Sequence, residues 1–151
     1  MAIVNLGVDY EEIKDLDKFP TVPNGTYPFT IRKVIDKPAK NGRPMFTSYL
    51  EFVEPETGQK FQLRHYAVRP WDPDGSGVMV TSGCGNLTSL LKTVGATGFQ
   101  PGDDINTDDW IGAEGQAELV LRPGRKLDED TGEYVDDPDA DPQNEIKRLI
   151  T

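Results

Sequence analysis

The sequence is poor in the residues that most often carry chemistry. It holds one cysteine, Cys84, and one histidine, His65, in 151 residues. A lone cysteine makes no internal disulfide and points to a reducing compartment. One cysteine with one histidine also excludes every zinc site that needs several soft ligands. Long apolar runs are missing as well. The longest uncharged stretch, Gly75 to Leu91, is broken by Ser76, Thr81, Ser82, Asn86 and several glycines, so no bilayer-spanning segment is expected. Met1 to Leu6 has no basic start and is too short for a signal-peptide core. A hydrophobic share of 36% and a mean hydropathy of −0.55 describe a polar, soluble chain. Its length closes one hydrophobic core rather than two. The expectation is a single cytoplasmic domain, 1–151, with no cofactor, no metal and no membrane association.

Sixteen bases against 26 acids give a net charge of −10, which at first favours an acidic adaptor over a nucleic-acid binder. The distribution changes that. Eight acids and no base lie between Asp128 and Asp141, leaving −2 for the rest of the chain. From Phe19 to Trp71, eight bases face four acids, a net +4. A basic region and an acidic segment share one small domain.

Residues 1–25 read as an N-terminal arm in which Asp9 and Glu12 have capping-box spacing for a short helical turn, stopped by Pro20, Pro23, Asn24 and Gly25. From Thr26 the pattern is extended. Tyr27, Phe29 and Ile31 alternate with Pro28, Thr30 and Arg32, and the phase slips near Lys33 and Val34 as at a bulge. Phe46 to Phe52 and Lys60 to Tyr66 supply two further alternating strands, joined by the turn Glu54 to Gly58. Trp71 to Gly85 is Pro-, Gly- and Ser-rich and reads as a long loop. Leu87, Leu90, Leu91 and Val94 then have helical spacing, with Gly95 placed to end the helix. Asn106 or Thr107 caps a short turn. Gly115 to Arg122 and Asn144 to Ile150 are the fourth and fifth strands, with the acidic residues 128–141 as a loop between them. Three meandering strands, a helix and two strands are the order of a five-stranded OB-fold barrel, all-β with one main helix between strands three and four, whose strand two and three face binds oligonucleotides.

If Leu50, Phe52, Phe61 and Leu63 point inward, Thr47, Tyr49, Lys60, Arg64 and Tyr66 point outward together. Aromatic planes mixed with cations suit single-stranded nucleic acid, because bases stack on rings while Lys and Arg neutralise phosphates. Arg32, Arg69 and Trp71 extend the candidate track. The ordinary alternative is a pair of half-buried sheet tyrosines on a face that the bases merely solvate.

Other motifs carry less. Asp72-Pro-Asp-Gly-Ser-Gly77 begins like an EF-hand loop, but Gly83 stands where calcium needs a bidentate carboxylate. Gly83 and Gly85 open the helix without the third glycine or the βαβ unit of a dinucleotide site. Asp103, Asp104, Asp108 and Asp109 could belong to a two-metal nuclease, yet acids favour helix starts without any catalysis. His65, in phase with Phe61 and Leu63, reads as a satisfied inner or edge residue rather than a general base. Cys84 has no base partner and reads as inert. No catalytic constellation emerges, and the chain is expected not to be an enzyme.

Four segments resemble a family, the phage-encoded single-stranded-DNA-binding proteins. They are Val22-Pro-Asn-Gly-Thr-Tyr27, Asn41-Gly-Arg-Pro-Met45 leading into Leu50-Glu-Phe52, Gly85-Asn-Leu-Thr-Ser-Leu-Leu-Lys-Thr-Val-Gly95, and Asn144-Glu-Ile146. The resemblance implies an OB-fold that coats single-stranded DNA during phage replication or recombination in the host cytoplasm. It supplies no contact list; the candidate DNA-binding residues Arg32, Tyr49, Lys60, Arg64, Tyr66, Arg69 and Trp71 come from the face. Expected partners are single-stranded DNA, phage or host replication and recombination proteins docking on Asp128 to Asp141, and a second copy of the chain. The rival reading is an acidic adaptor or DNA mimic that binds a DNA-handling protein.

Overall fold

The computed structural model describes residues 2–7, 9, 21–137 and 139–151. Three strands come first: β1 (Gly25–Asp36), β2 (Met45–Val53) and β3 (Lys60–Val68). Helix α1 (Gly85–Val94) and a 3-10 turn (Thr107–Trp110) follow, then β4 (Glu114–Arg122), the short strands β5 (Arg125–Leu127) and β6 (Tyr134–Asp136), and β7 (Gln143–Ile150). One antiparallel sheet has the order β3-β2-β1-β4-β7, and β5 and β6 pair separately. The five-stranded sheet is curled into a half-barrel, with its edge strands β3 and β7 approaching each other. A mostly β chain with one helix and this curl is consistent with an all-β, OB-like fold.

The curl begins in β1, which changes partner along its length. Gly25 to Thr30 pairs with β4 and Thr30 to Asp36 with β2, and the register shifts between Ile31 and Lys33. At the shift the Ile31 N–H donates to the Ala113 carbonyl at 2.9 Å, while the Ile31 carbonyl accepts from Gly112 N–H at 2.8 Å. An extra residue in one strand bends it and increases its twist, so the phase slip legible in the sequence is a bend that curls the sheet.

Alternation buries Phe29, Ile31, Leu50, Phe52, Phe61, Ala117 and Leu119. Phe52 stacks on Phe61 at 5.5 Å and tilts against Phe29 at 5.8 Å, and Phe46 meets Trp110 edge-on at 5.4 Å. Helix α1 adds Leu90 and Leu91 to this core. It ends at Gly95, whose φ of 76° is left-handed, and the Ala96 N–H reaches back to the Leu91 carbonyl at 3.0 Å, a glycine-dependent helix stop. Gly115 faces Phe29 across the sheet, and a Cβ there would lie 2.7 Å from the Phe29 ring and 2.8 Å from the Thr93 methyl. Only glycine leaves space for both.

Two asparagines fasten the chain ahead of β1. The buried Asn144 side chain accepts from Val22 N–H at 2.8 Å and donates to the Val22 carbonyl at 2.9 Å; Asn24 Oδ1 accepts from Leu121 N–H at 2.6 Å. The segments Val22 to Tyr27 and Asn144 to Ile146, far apart in sequence, thus meet in space.

Several expectations change. Thr47 shares the outward side with Tyr66 but is buried there, covered between its cross-strand neighbours Ile35 and Tyr66. His65 is an inner residue but not a satisfied one: among the described residues neither ring nitrogen has a hydrogen-bond partner, nor does the hydroxyl of its cross-strand neighbour Ser48. Burial lowers the His65 pKa to about 4. The loop Trp71 to Gly85 is pinched by a bridge between Trp71 and Val80. The acidic excursion is no plain loop, since β5 and β6 pair across it. The helical turn expected at Asp9 to Glu12 lies outside the described residues apart from Asp9. Among the described residues no helix is long and apolar enough to cross a membrane.

Candidate nucleic-acid interface

Register decides which side chains share the outward face. Thr47 pairs with Tyr66, Tyr49 with Arg64, Glu51 with Gln62 and Val53 with Lys60. Paired residues in an antiparallel ladder project to the same side, so Tyr49, Lys60, Arg64 and Tyr66 are brought together as the period of two requires. The bulge in β1 places Lys33 opposite Tyr49. One row therefore runs Lys33–Tyr49–Arg64 across three strands, with the Lys33 Nζ 5.9 Å and the Arg64 guanidinium 5.4 Å from the Tyr49 ring centroid. Both distances lie within cation–π reach. Arg64 is exposed, and its pKa is raised by a hydrogen bond with the Tyr66 phenol and by the nearby Tyr49 and Tyr66 phenol oxygens. Tyr66 is 48% exposed, so much of its ring is open to solvent.

Arg32 joins the same face beside the bulge. Its Nη2 pairs with Glu51 Oε1 at 3.0 Å, and Lys60 Nζ approaches the same oxygen at 3.8 Å. Glu51 thus holds two candidate contacts in place while cancelling one of their charges. Arg32 and Lys60 remain about half to two-thirds exposed, which keeps both heads accessible to a phosphate.

Arg69 and Trp71 stand apart from this group. Arg69 pairs with Asp36 at 2.8 Å and lies 4.8 Å over the Phe46 ring, bordering a cavity shared with Leu87 and Leu91 of α1. Its carbonyl accepts from Arg43 Nε at 3.0 Å, and Arg43 also reaches the Ser82 carbonyl and, at 3.4 Å, the Cys84 sulfur. These two arginines bind the loop after β3 to the sheet. Trp71 is half-buried and bridged to Val80 outside the β2–β3 ladder.

Lys33 is the face residue that period-two counting misses. Its signal is the phase slip itself: past a bulge, the residue that should point inward points out.

The remaining motifs have local occupations. Asp72 and Asp74 each accept from Ser76 N–H at 3.1 Å, and Asp72 also accepts from Gly77 N–H at 2.7 Å. Hydrogen bonds from Ser76 hold the Asp74 carboxyl below its ordinary range. Asp103 accepts from Gln100 N–H, and Asn106 caps the 3-10 turn through Asp108 N–H. Among the described residues no group of three or more His, Cys, Asp or Glu side chains could hold a metal ion. In the acidic excursion, Leu127 and Tyr134 pair across the hairpin and are 52% and 70% exposed.

Compared with known proteins, the chain matches no family model and no curated protein.

Proposed function

We propose that this protein is a non-enzymatic, sequence-independent single-stranded-DNA-binding protein, built as an OB-type barrel and protecting single strands during phage replication or recombination. The row Lys33–Tyr49–Arg64, with Tyr66 beside it, carries the reading. Every base has a π-face, so stacking on a tyrosine is tolerant of sequence, and cations on both sides of the ring neutralise the flanking phosphates. Duplex DNA keeps its base faces stacked inside and offers this surface only its phosphates. The resemblance of four segments to the phage family points the same way, and two of those segments, around Val22 and Asn144, hold each other through buried hydrogen bonds.

The exposed hairpin at 128–141 is assigned the second role, a docking surface for replication or recombination proteins. Its acids surround the open Leu127–Tyr134 pair, which also favours a second reading, an acidic adaptor whose ligand is a DNA-handling protein. Titrating labelled single-stranded and duplex oligonucleotides separates the two. The first reading expects tight, salt-sensitive binding with single strands strongly preferred, the slope of log K against log salt being about −0.7 per neutralised phosphate. No binding to either oligonucleotide at low salt selects the adaptor.

A further inference from the structure

Among the described residues β3 and β7 are the end strands of the half-barrel, and two cavities of about 410 and 420 Å³ lie between them. Gln62, Leu63, Arg64 and Asn144 border both, so they form one groove along β3. Volumes of this size fall within the range of small-ligand sites, roughly 300–1,000 Å³.

The groove has a rigid side and an adaptable rim. Asn144 is buried and spends its amide on the backbone of Val22 and Val120. Phe61 and Leu63 supply apolar wall. Gln62 and Gln143 are exposed, and neither side-chain amide has a hydrogen-bond partner among the described residues. A primary amide offers a donor and an acceptor side by side, the pattern that nucleobase edges present. Glu145, which borders the second cavity, has its charge compensated by Arg122 at 3.3 Å.

Arg64 connects this groove to the outward face. Its guanidinium lies over Tyr49, and the residue borders both cavities; Tyr66 borders the second. A strand crossing the face therefore passes the mouth of the groove. We infer that the groove between β3 and β7 receives one nucleobase turned out of the bound strand, with Gln62 and Gln143 pairing to its polar edge. This inference rests on the single-stranded-DNA reading above. A peptide laid along the edge of β3 is the competing occupant, and the continuity through Arg64 with a phosphate-neutralising surface favours the base.

The test uses the full chain and oligothymidylates of the shortest length that binds fully, so that one register dominates, with a single abasic site moved one position at a time. Wild-type protein should lose about three- to tenfold in affinity at one position beyond the losses elsewhere, as expected for one or two hydrogen bonds. Gln62→Ala with Gln143→Ala should flatten that position while keeping the melting temperature and the salt slope of wild type. A flat profile from wild-type protein that still binds DNA overturns the groove and leaves the face reading standing, as does a double variant that keeps the wild-type profile. If no oligonucleotide binds at all, the face reading falls and the groove falls with it.

Discussion

At the scale of single residues, Tyr66 and the lysines Lys33 and Lys60 should contribute to binding in different ways. Tyr66 presents an open ring, so Tyr66→Ala should weaken single-stranded-DNA binding by about 1 to 3 kcal/mol if a base stacks there. Lys33→Ala and Lys60→Ala should each lower the magnitude of the salt slope by about 0.7 without altering base preference. Lys60 is the more interesting of the two, because Glu51 already claims part of its charge. A Lys60 variant with the wild-type slope would show that Glu51, not phosphate, is its partner. His65 gives a prediction about stability. Its folded pKa, about 4, lies below the ordinary 6.5, so between these values the unfolded chain binds a proton that the folded chain refuses. Stability is then complete above pH 6.5 and lost as pH falls toward 4, by roughly 3 kcal/mol at the lower end. Denaturant midpoints measured from pH 7.5 to 4.5 should show that loss, and His65→Leu should remove much of it; equal slopes for the two proteins would place the acid sensitivity elsewhere.

At the scale of elements, the glycine in β4 and the asparagine in β7 limit what the fold tolerates. Gly115→Ala drives a methyl into the Phe29 ring and the Thr93 methyl, and overpacking of this kind costs about 1 to 3 kcal/mol. Asn144→Ala leaves the Val22 N–H and carbonyl unpaired in a buried place, with a comparable loss. Chemical denaturation of the two variants checks both. Much of this level was legible beforehand. Periodicity marked the five sheet strands and α1 because each has one buried face, and Gly95 marked the helix stop because only glycine accepts that backbone easily. Residues 125–127 and 134–136 gave no such signal, since a three-residue strand with both faces exposed carries no alternation. His65 was legible as inward but not as unpartnered, because sequence places a side chain on a face without showing what stands opposite. Arg69 looked like one more cation on the track; its stacking on Phe46 and pairing with Asp36 depend on contacts between segments that no local pattern encodes.

At the scale of the whole molecule, the chain separates its charges: a cationic, aromatic face on β1–β3 and an acidic hairpin between β4 and β7. The hairpin is solvated because its eight acids are too costly to bury when, among the described residues, Asp136 alone has an ion pair, with Arg125 at 3.9 Å, and it bears the same charge sign as the ligand assigned to the face. Replacing residues 128–141 with a short Gly-containing turn should tighten single-stranded-DNA binding at low salt, and the gain should shrink as the screening length falls to about 10 Å near 0.1 M. A gain that persists unchanged at high salt would point to a contact other than charge. Under the proposed function, the outward face of β1–β3 is the single-strand surface. Backbone amide chemical shifts of the full chain, recorded during titration with a short oligothymidylate, test it most directly. The largest changes are expected at Arg32, Lys33, Tyr49, Arg64 and Tyr66, saturating together and reversing with salt. Saturable binding with these amides unmoved, and the changes gathered instead around Arg43, Arg69 and α1, would contradict it.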